Sequence, residues 1–146
     1  MRVKNRLKLS MLVMLGFLTA NVMAGNTPHT WHTVSSNSGT WDAKLQMINE
    51  GGSFVTRDGS SLSSFTIGPG YSQDYGFIYD PGSDFNIAYT LTLTEQGTSP
   101  QFTSKACVYV ITANGPAQPD IRPSSYQGAE CNWLIVPGVG ENFTVS

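Results

Sequence analysis

The sequence predicts an all-β protein, an antiparallel β-sandwich of eight or nine short strands joined by one disulfide. Three observations support this prediction. Apolar and polar residues alternate along most of the chain, and the connections are rich in Gly, Pro, Asp and Ser. No window of roughly 11–18 residues after the N-terminal region shows the 3.6-residue apolar period of a helix. A β-barrel is the alternative arrangement of the same strands.

The first 24 residues have the three parts of a secretory signal peptide. Basic residues cluster before position 9, an apolar run follows over residues 9–18, and Val22 and Ala24 are small residues at positions −3 and −1. The run is shorter than the roughly 20 apolar residues that a bilayer-spanning helix needs. We therefore expect cleavage after Ala24, export by a bacterial Sec-type route to the periplasm or the medium, and no integral membrane segment after processing.

Processing would leave residues 25–146 as a single domain with a different charge balance. Four basic residues then stand against ten acidic ones, a net charge of −6, whereas the full chain has −2. So few scattered cations exclude a nucleic-acid binder, because such proteins neutralise many phosphates at once. An acidic surface suits a protein that stays soluble outside the cell.

The strands follow one another at short intervals. The clearest covers residues 85–94, where large apolar side chains at odd positions alternate with Asn, Ala and Thr, so that one face packs on a core and the other meets water. Residues 108–111 and 133–136 are apolar on both faces, which predicts two central strands. Those two runs lie within the predicted strands 106–112 and 132–136, and the remaining predicted strands cover residues 31–35, 41–48, 53–56, 62–67, 75–79 and 142–145.

Cys107 and Cys131 predict a disulfide, because an exported chain meets an oxidising compartment. A closed loop of about 25 residues would stabilise the fold by roughly 3–4 kcal/mol. Each cysteine lies near the start of a predicted strand, whereas a plain hairpin would bring a start against an end. The two strands are therefore not expected to pair, and residues 113–129 are predicted to be an irregular crossover between sheets.

The crossover loop is the main candidate for function. Three prolines and the bridge restrict it, and a preorganised loop loses less entropy on binding. Asp120, Arg122 and Tyr126 in this loop, with Tyr71 in a Gly-Pro-Gly-Tyr turn, are the candidate ligand-binding residues. We expect a binding protein with a protein or carbohydrate ligand. The alternatives are an inhibitor whose loop fills an enzyme active site, a hydrolase with an unrecognised site, and a simple connector that closes the core.

Metal binding and catalysis have weaker support in the sequence. His29 and His32 follow the predicted new N-terminus and could hold copper or zinc with its amine, although their spacing is loose. Residues 70–74 lack the closing glycine of a nucleophile elbow. The sequence therefore predicts no catalytic residue and no cofactor.

Overall fold

The computed structural model describes residues 31–49, 51–79, 86–97, 104–114, 118–137 and 140–146, and this part of the chain contains no helix. The predicted signal peptide, residues 1–24, lies outside the described residues and stays a prediction. The strands are β1 (Trp31–Ser36), β2 (Trp41–Met47), β3 (Gly52–Val55), β4 (Ser64–Ile67), β5 (Ser72–Tyr79), β6 (Asn86–Glu95), β7 (Ala106–Asn114), β8 (Asp120–Tyr126), β9 (Cys131–Val136) and β10 (Gly140–Val145).

The strands form two five-stranded sheets. Sheet 1 has the order β3-β5-β1-β10-β9, and sheet 2 has the order β4-β2-β6-β7-β8. The strand pairs are antiparallel, apart from the parallel pair of β1 and β10. The chain passes from one sheet to the other several times, for example from β1 to β2 and from β4 to β5. Two separate, antiparallel-dominated sheets confirm the predicted β-sandwich over the alternative barrel.

Alternation along each strand decides which side chains form the core. In β6, Ile87, Tyr89, Leu91 and Leu93 are buried between the sheets, and the intervening threonines face outward. Tyr75 and Phe77 of β5 pack in the same core. The largest fully buried side chains are Trp41, Tyr75, Tyr89, Tyr109, Phe77 and Phe143.

Cys107 in β7 and Cys131 in β9 form the predicted disulfide, with their Cα atoms 5.6 Å apart. Because β7 belongs to sheet 2 and β9 to sheet 1, the bridge joins the two layers of the sandwich. This confirms that the two strands do not pair as a hairpin.

As predicted, the chain crosses from sheet 2 to sheet 1 between β7 and β9, but the prediction that residues 113–129 are irregular is wrong. The segment contains β8, which pairs antiparallel with β7 along its whole length. The sequence of β8 lacks the alternation of apolar and polar residues that predicts a strand. This is because β8 is an edge strand that contains Pro123 and buries only Ile121. A tight turn follows, in which the Ala129 N–H donates to the Tyr126 carbonyl over 3.2 Å, and leads into sheet 1.

Candidate functional site

The four predicted ligand-binding residues are all on the surface, but they do not form one cluster. Asp120 and Arg122 lie at the start of β8 and pair over 2.9 Å with largely exposed side chains. Tyr126 lies at the end of β8 with 54% of its surface exposed. The six residue steps of β8 place Asp120 and Tyr126 about 20 Å apart, at opposite ends of the sandwich.

Tyr71 is the most exposed of these residues, at 73%, and lies in the turn between β4 and β5. This turn is at the same end of the sandwich as Tyr126. However, the backbone of Tyr71 is bonded to the end of β1, the middle strand of sheet 1, where the Ser36 N–H donates to the Tyr71 carbonyl over 3.1 Å, whereas Tyr126 ends β8, an edge strand of sheet 2. Tyr71 and Tyr126 are therefore held by different sheets of the sandwich. Their role in ligand binding stays a prediction.

Exposed apolar surface is concentrated on β9. Leu134 is 63% exposed and Trp133 is 39% exposed, and Tyr126 precedes them across the β8–β9 turn. The interpretation of residues 133–136 as a central strand is wrong, because β9 is the outer strand of sheet 1 and pairs only with β10 among the described strands. An apolar sequence cannot distinguish a central strand from an edge, because pairing order decides between them.

Glu130 and Ser146, which flank β9 and β10, show which backbone groups of β9 face β10 and which face the outer edge; we call this alternation the hydrogen-bonding phase of β9. Glu130 and Ser146 exchange both of their backbone N–H···O bonds, at 2.8 and 3.2 Å. Hydrogen-bonded and non-hydrogen-bonded pairs alternate along an antiparallel ladder. The backbone groups of Asn132, Leu134 and Val136 therefore face β10. Those of Trp133 and Ile135 point away from it, to the outer edge.

The hydroxyl of Tyr109 supports this phase. It donates to the carbonyl oxygens of Asn132, at 3.0 Å, and Thr144, at 3.3 Å. These two residues are partners in the β9–β10 register, and both carbonyls lie between the strands in a hydrogen-bonded pair. A core side chain from sheet 2 thus holds β9 in place beneath its ladder.

The other edge strands have features that discourage pairing with another chain. β3 and β4 have only four residues each, and short edges offer few hydrogen bonds. β8 contains Pro123 together with the charged pair Asp120 and Arg122, which are recognised forms of edge protection. β9 has six residues, Cys-Asn-Trp-Leu-Ile-Val, with neither a charge nor a proline. It is the least protected of the four edges.

A second polar feature lies inside the sandwich. The Nδ1 atom of His32 in β1 contacts the carboxylate Oε2 of Glu141 in β10, and both side chains are buried. His32 stacks on Tyr75, with ring centroids 4.8 Å apart, and the hydroxyls of Tyr75 and Tyr89 are 3.0 Å apart. The sequence did not predict this cluster. The sequence feature that could have indicated it is that His32 and Glu141 occupy positions where the alternation of β1 and β10 would place an apolar residue.

The environment of the His32–Glu141 pair lowers the pKa of Glu141. Burial acts to raise the pKa of Glu141, whereas the hydrogen bond and charge of His32 act to lower it, and the net pKa is below the ordinary value. Burial raises the pKa of Tyr75 well above its usual range. The contacts of this buried cluster join β1, β5, β6 and β10 across the two sheets.

The proposed metal site has no support within the described residues. His32 lies in the core with Glu141, and His29 falls outside the described residues. No group of three or more His, Cys, Asp or Glu side chains in this part of the chain could hold a metal ion.

An open depression of about 400 Å³ lies on the outer face of sheet 2, where Asp42, Lys44, Ser64 and Thr92 contribute to its wall. Hydrogen bonds from Thr66 and Gln96 to Asp42 lower the pKa of this carboxyl. Both hydrogen bonds go to the Oδ1 atom of Asp42.

The fold and the disulfide define the chain as a small, disulfide-bridged β-sandwich. Comparison with protein-family models, curated proteins and solved structures found no match. Within the described residues, no helix has the length and apolar character needed to cross a membrane.

Proposed function

We propose that this chain is an exported binding protein that recognises an extended polypeptide strand along β9. The observation that carries the proposal is the outer edge of β9, whose backbone groups at Trp133 and Ile135 face away from β10 and whose side chains are uncharged. Main-chain hydrogen bonds supply affinity when a strand is added to a sheet edge, and the side chains beside them supply specificity.

The side chains of β9 offer contacts on both faces of an added strand. Trp133 and Ile135 lie on the inner face, since their partners Phe143 and Glu141 are buried there. Leu134 lies on the outer face. A bound strand with apolar residues on both faces would cover this surface, and Trp is a residue type that often dominates binding energy.

A polypeptide fits this surface better than a glycan does. A sugar-binding platform built from both exposed tyrosines has less support, because Tyr71 is held at the end of β1 in sheet 1 and Tyr126 ends β8 in sheet 2. Export is supported by the composition of residues 1–24, and the disulfide is a type of bond that persists in oxidising compartments.

The test is selection of binders from a library of random peptides displayed on phage, with the processed and oxidised chain immobilised. We expect uncharged, β-branched and aromatic sequences to be enriched and to bind in extended conformation. The diagnostic variant is Ile135→Pro, which removes an outward N–H while leaving the β9–β10 hydrogen bonds in place. Ile135→Ala is the matched control, because it trims the side chain but keeps the N–H.

Loss of peptide binding in Ile135→Pro, with binding retained in Ile135→Ala, would support strand addition. Equal binding by both variants would refute it. A carbohydrate array provides the competing result: glycan binding that disappears in Tyr71→Ala or Tyr126→Ala would favour the glycan ligand instead. One-to-one capture of a folded enzyme that Ile135→Pro does not weaken would favour the inhibitor alternative.

A further inference from the structure

We propose that the strand that β9 binds is β9 of a second copy of this chain, paired antiparallel about a two-fold axis at Leu134. This inference rests on the proposed function, because it names the polypeptide that the edge receives. Three properties of β9 support it: its hydrogen-bonding phase, its pattern of exposed side chains, and the charges it lacks.

The hydrogen-bonding phase of β9 is complementary to itself. With Leu134 on the axis, Trp133 of one copy stands opposite Ile135 of the other, and the reverse holds on the far side. The backbone groups of both residues point to the outer edge, so each of these two pairs can exchange two N–H···O bonds. The register thus forms four main-chain hydrogen bonds from groups that otherwise face the outer edge.

The same register covers the most exposed side chain of the strand. Leu134 would stand opposite Leu134 of the second copy in a non-hydrogen-bonded pair, the arrangement in which facing side chains are closest. Leu134 is 63% exposed in the isolated chain. On the inner face, Trp133 would contact Ile135 of the second copy, which places apolar groups together on both sides of the joined sheet.

An axis at Trp133 is the competing register, and it matches the side chains less well. It would place Leu134 opposite Asn132, so that the exposed leucine would meet a polar amide. The axis at Leu134 instead pairs Asn132 with Val136 at the periphery of the contact, where polar groups are better tolerated.

Charge and symmetry also favour a second copy. β9 has no charged side chain, so pairing it with itself brings no like charges together. A two-fold contact uses the same surface on both molecules and closes the assembly at two copies. The free edge that would otherwise invite open-ended aggregation becomes an internal strand of a ten-stranded sheet.

The test is sedimentation velocity on the processed, oxidised chain over a wide concentration range. One six-residue strand makes a small contact, so we expect a reversible monomer–dimer equilibrium. Ile135→Pro and Leu134→Arg should each weaken dimerisation by about tenfold or more. Ile48→Arg is the matched control, because Ile48 is similarly exposed but follows β2, which belongs to the other sheet.

Cross-linking tests the register. Leu134→Cys should form a disulfide-linked dimer under mild oxidation, because a residue on the axis faces its own copy within disulfide range. Asn132→Cys should not, because its two copies would be four residues out of register, about 13 Å apart along the strands. A mixture in which Leu134→Cys links to Asn132→Cys would indicate the axis at Trp133 and overturn the register.

The outcomes separate this inference from the proposed function. A chain that stays monomeric at every concentration, while selected peptides still bind and Ile135→Pro abolishes their binding, would refute the second copy and uphold strand addition. A dimer that Ile135→Pro and Leu134→Arg leave intact would refute the β9 interface. Dimerisation that only these two variants weaken, together with Leu134→Cys cross-linking, would support the inference.

Discussion

Replacing His32 with Phe should destabilise the protein strongly at neutral pH. Phe keeps the stacking on Tyr75, where the ring centroids are 4.8 Å apart, and removes the nitrogen that contacts Glu141. The side chains of His32 and Glu141 are 4% and 6% exposed, so the cost is that of a buried pair rather than a surface one. Breaking a buried pair costs about 3–5 kcal/mol, whereas an exposed pair contributes about 0–1 kcal/mol.

The same substitution should change the pH dependence of stability. In the native chain burial acts to raise the pKa of Glu141, but the hydrogen bond and charge of His32, together with a backbone hydrogen bond, bring it below its ordinary value of 4.5. The carboxylate therefore adds stability above that ordinary pKa, which is lost as the pH falls through the lowered value. Without His32, burial is left to raise the pKa of Glu141. In the variant, Glu141 then contributes to the free energy of unfolding only in its protonated form, and this contribution is lost as the pH rises through the raised pKa.

The assay is urea denaturation of both proteins from pH 4 to pH 7, with the difference in the free energy of unfolding as the readout. We expect the difference to be largest at pH 7 and to narrow towards pH 4. The double variant His32→Phe, Glu141→Leu is the control, because it removes both polar groups and should recover most of the loss. A loss below about 1 kcal/mol at pH 7, or a difference that does not narrow with acid, would refute the reasoning.

Three further predictions concern the backbone and the disulfide, each measured as the free energy of unfolding in urea. Gly140→Ala should lose at least about 1–3 kcal/mol, because Gly140 has φ +130° and an added Cβ would lie 1.7 Å from the Trp31 carbonyl oxygen. Gln127→Gly should gain about 1 kcal/mol, because Gln127 has φ 55° in the β8–β9 turn and left-handed backbone costs a side-chain-bearing residue roughly that amount. Removing the disulfide with Cys107→Ala and Cys131→Ala should cost about 3 kcal/mol while leaving a folded sandwich.

Each of these predictions has a contradicting result. A neutral Gly140→Ala would mean that β1 and β10 can separate at no cost. A destabilising Gln127→Gly would mean that the glutamine side chain contributes more than the strained backbone costs. Unfolding of the double alanine variant would mean that the two layers depend on the bridge to associate.

The alternation of apolar and polar residues predicted most of the strands, because a strand with one buried face shows this pattern within a short stretch of sequence. β6 shows this best, since its buried Ile, Tyr and Leu residues appear at every second position. β8 was missed for the opposite reason: its pattern of exposed residues and Pro123 resembles a loop, and only its pairing with β7 makes it a strand.

The candidate site was harder to predict because it depends on which strands become neighbours. Trp133 and Leu134 belong to an apolar run that could equally occupy the middle of a sheet, and their exposure comes from the position of β9 beside β10 alone. The contact of His32 with Glu141 likewise joins two distant parts of the sequence. Each residue occupied an apolar position in its own strand, but nothing local linked one to the other.

The parallel pair of β1 and β10 has a consequence for the timing of folding during synthesis. β1 lies between β5 and β10, and β10 in turn lies between β1 and β9. The centre of sheet 1 therefore cannot be completed until β10 has left the ribosome, long after β1. Such non-local pairing makes folding slow, and sheet 1 stays incomplete while β10 is still being made, a state in which that part of the polypeptide can be threaded through a narrow pore.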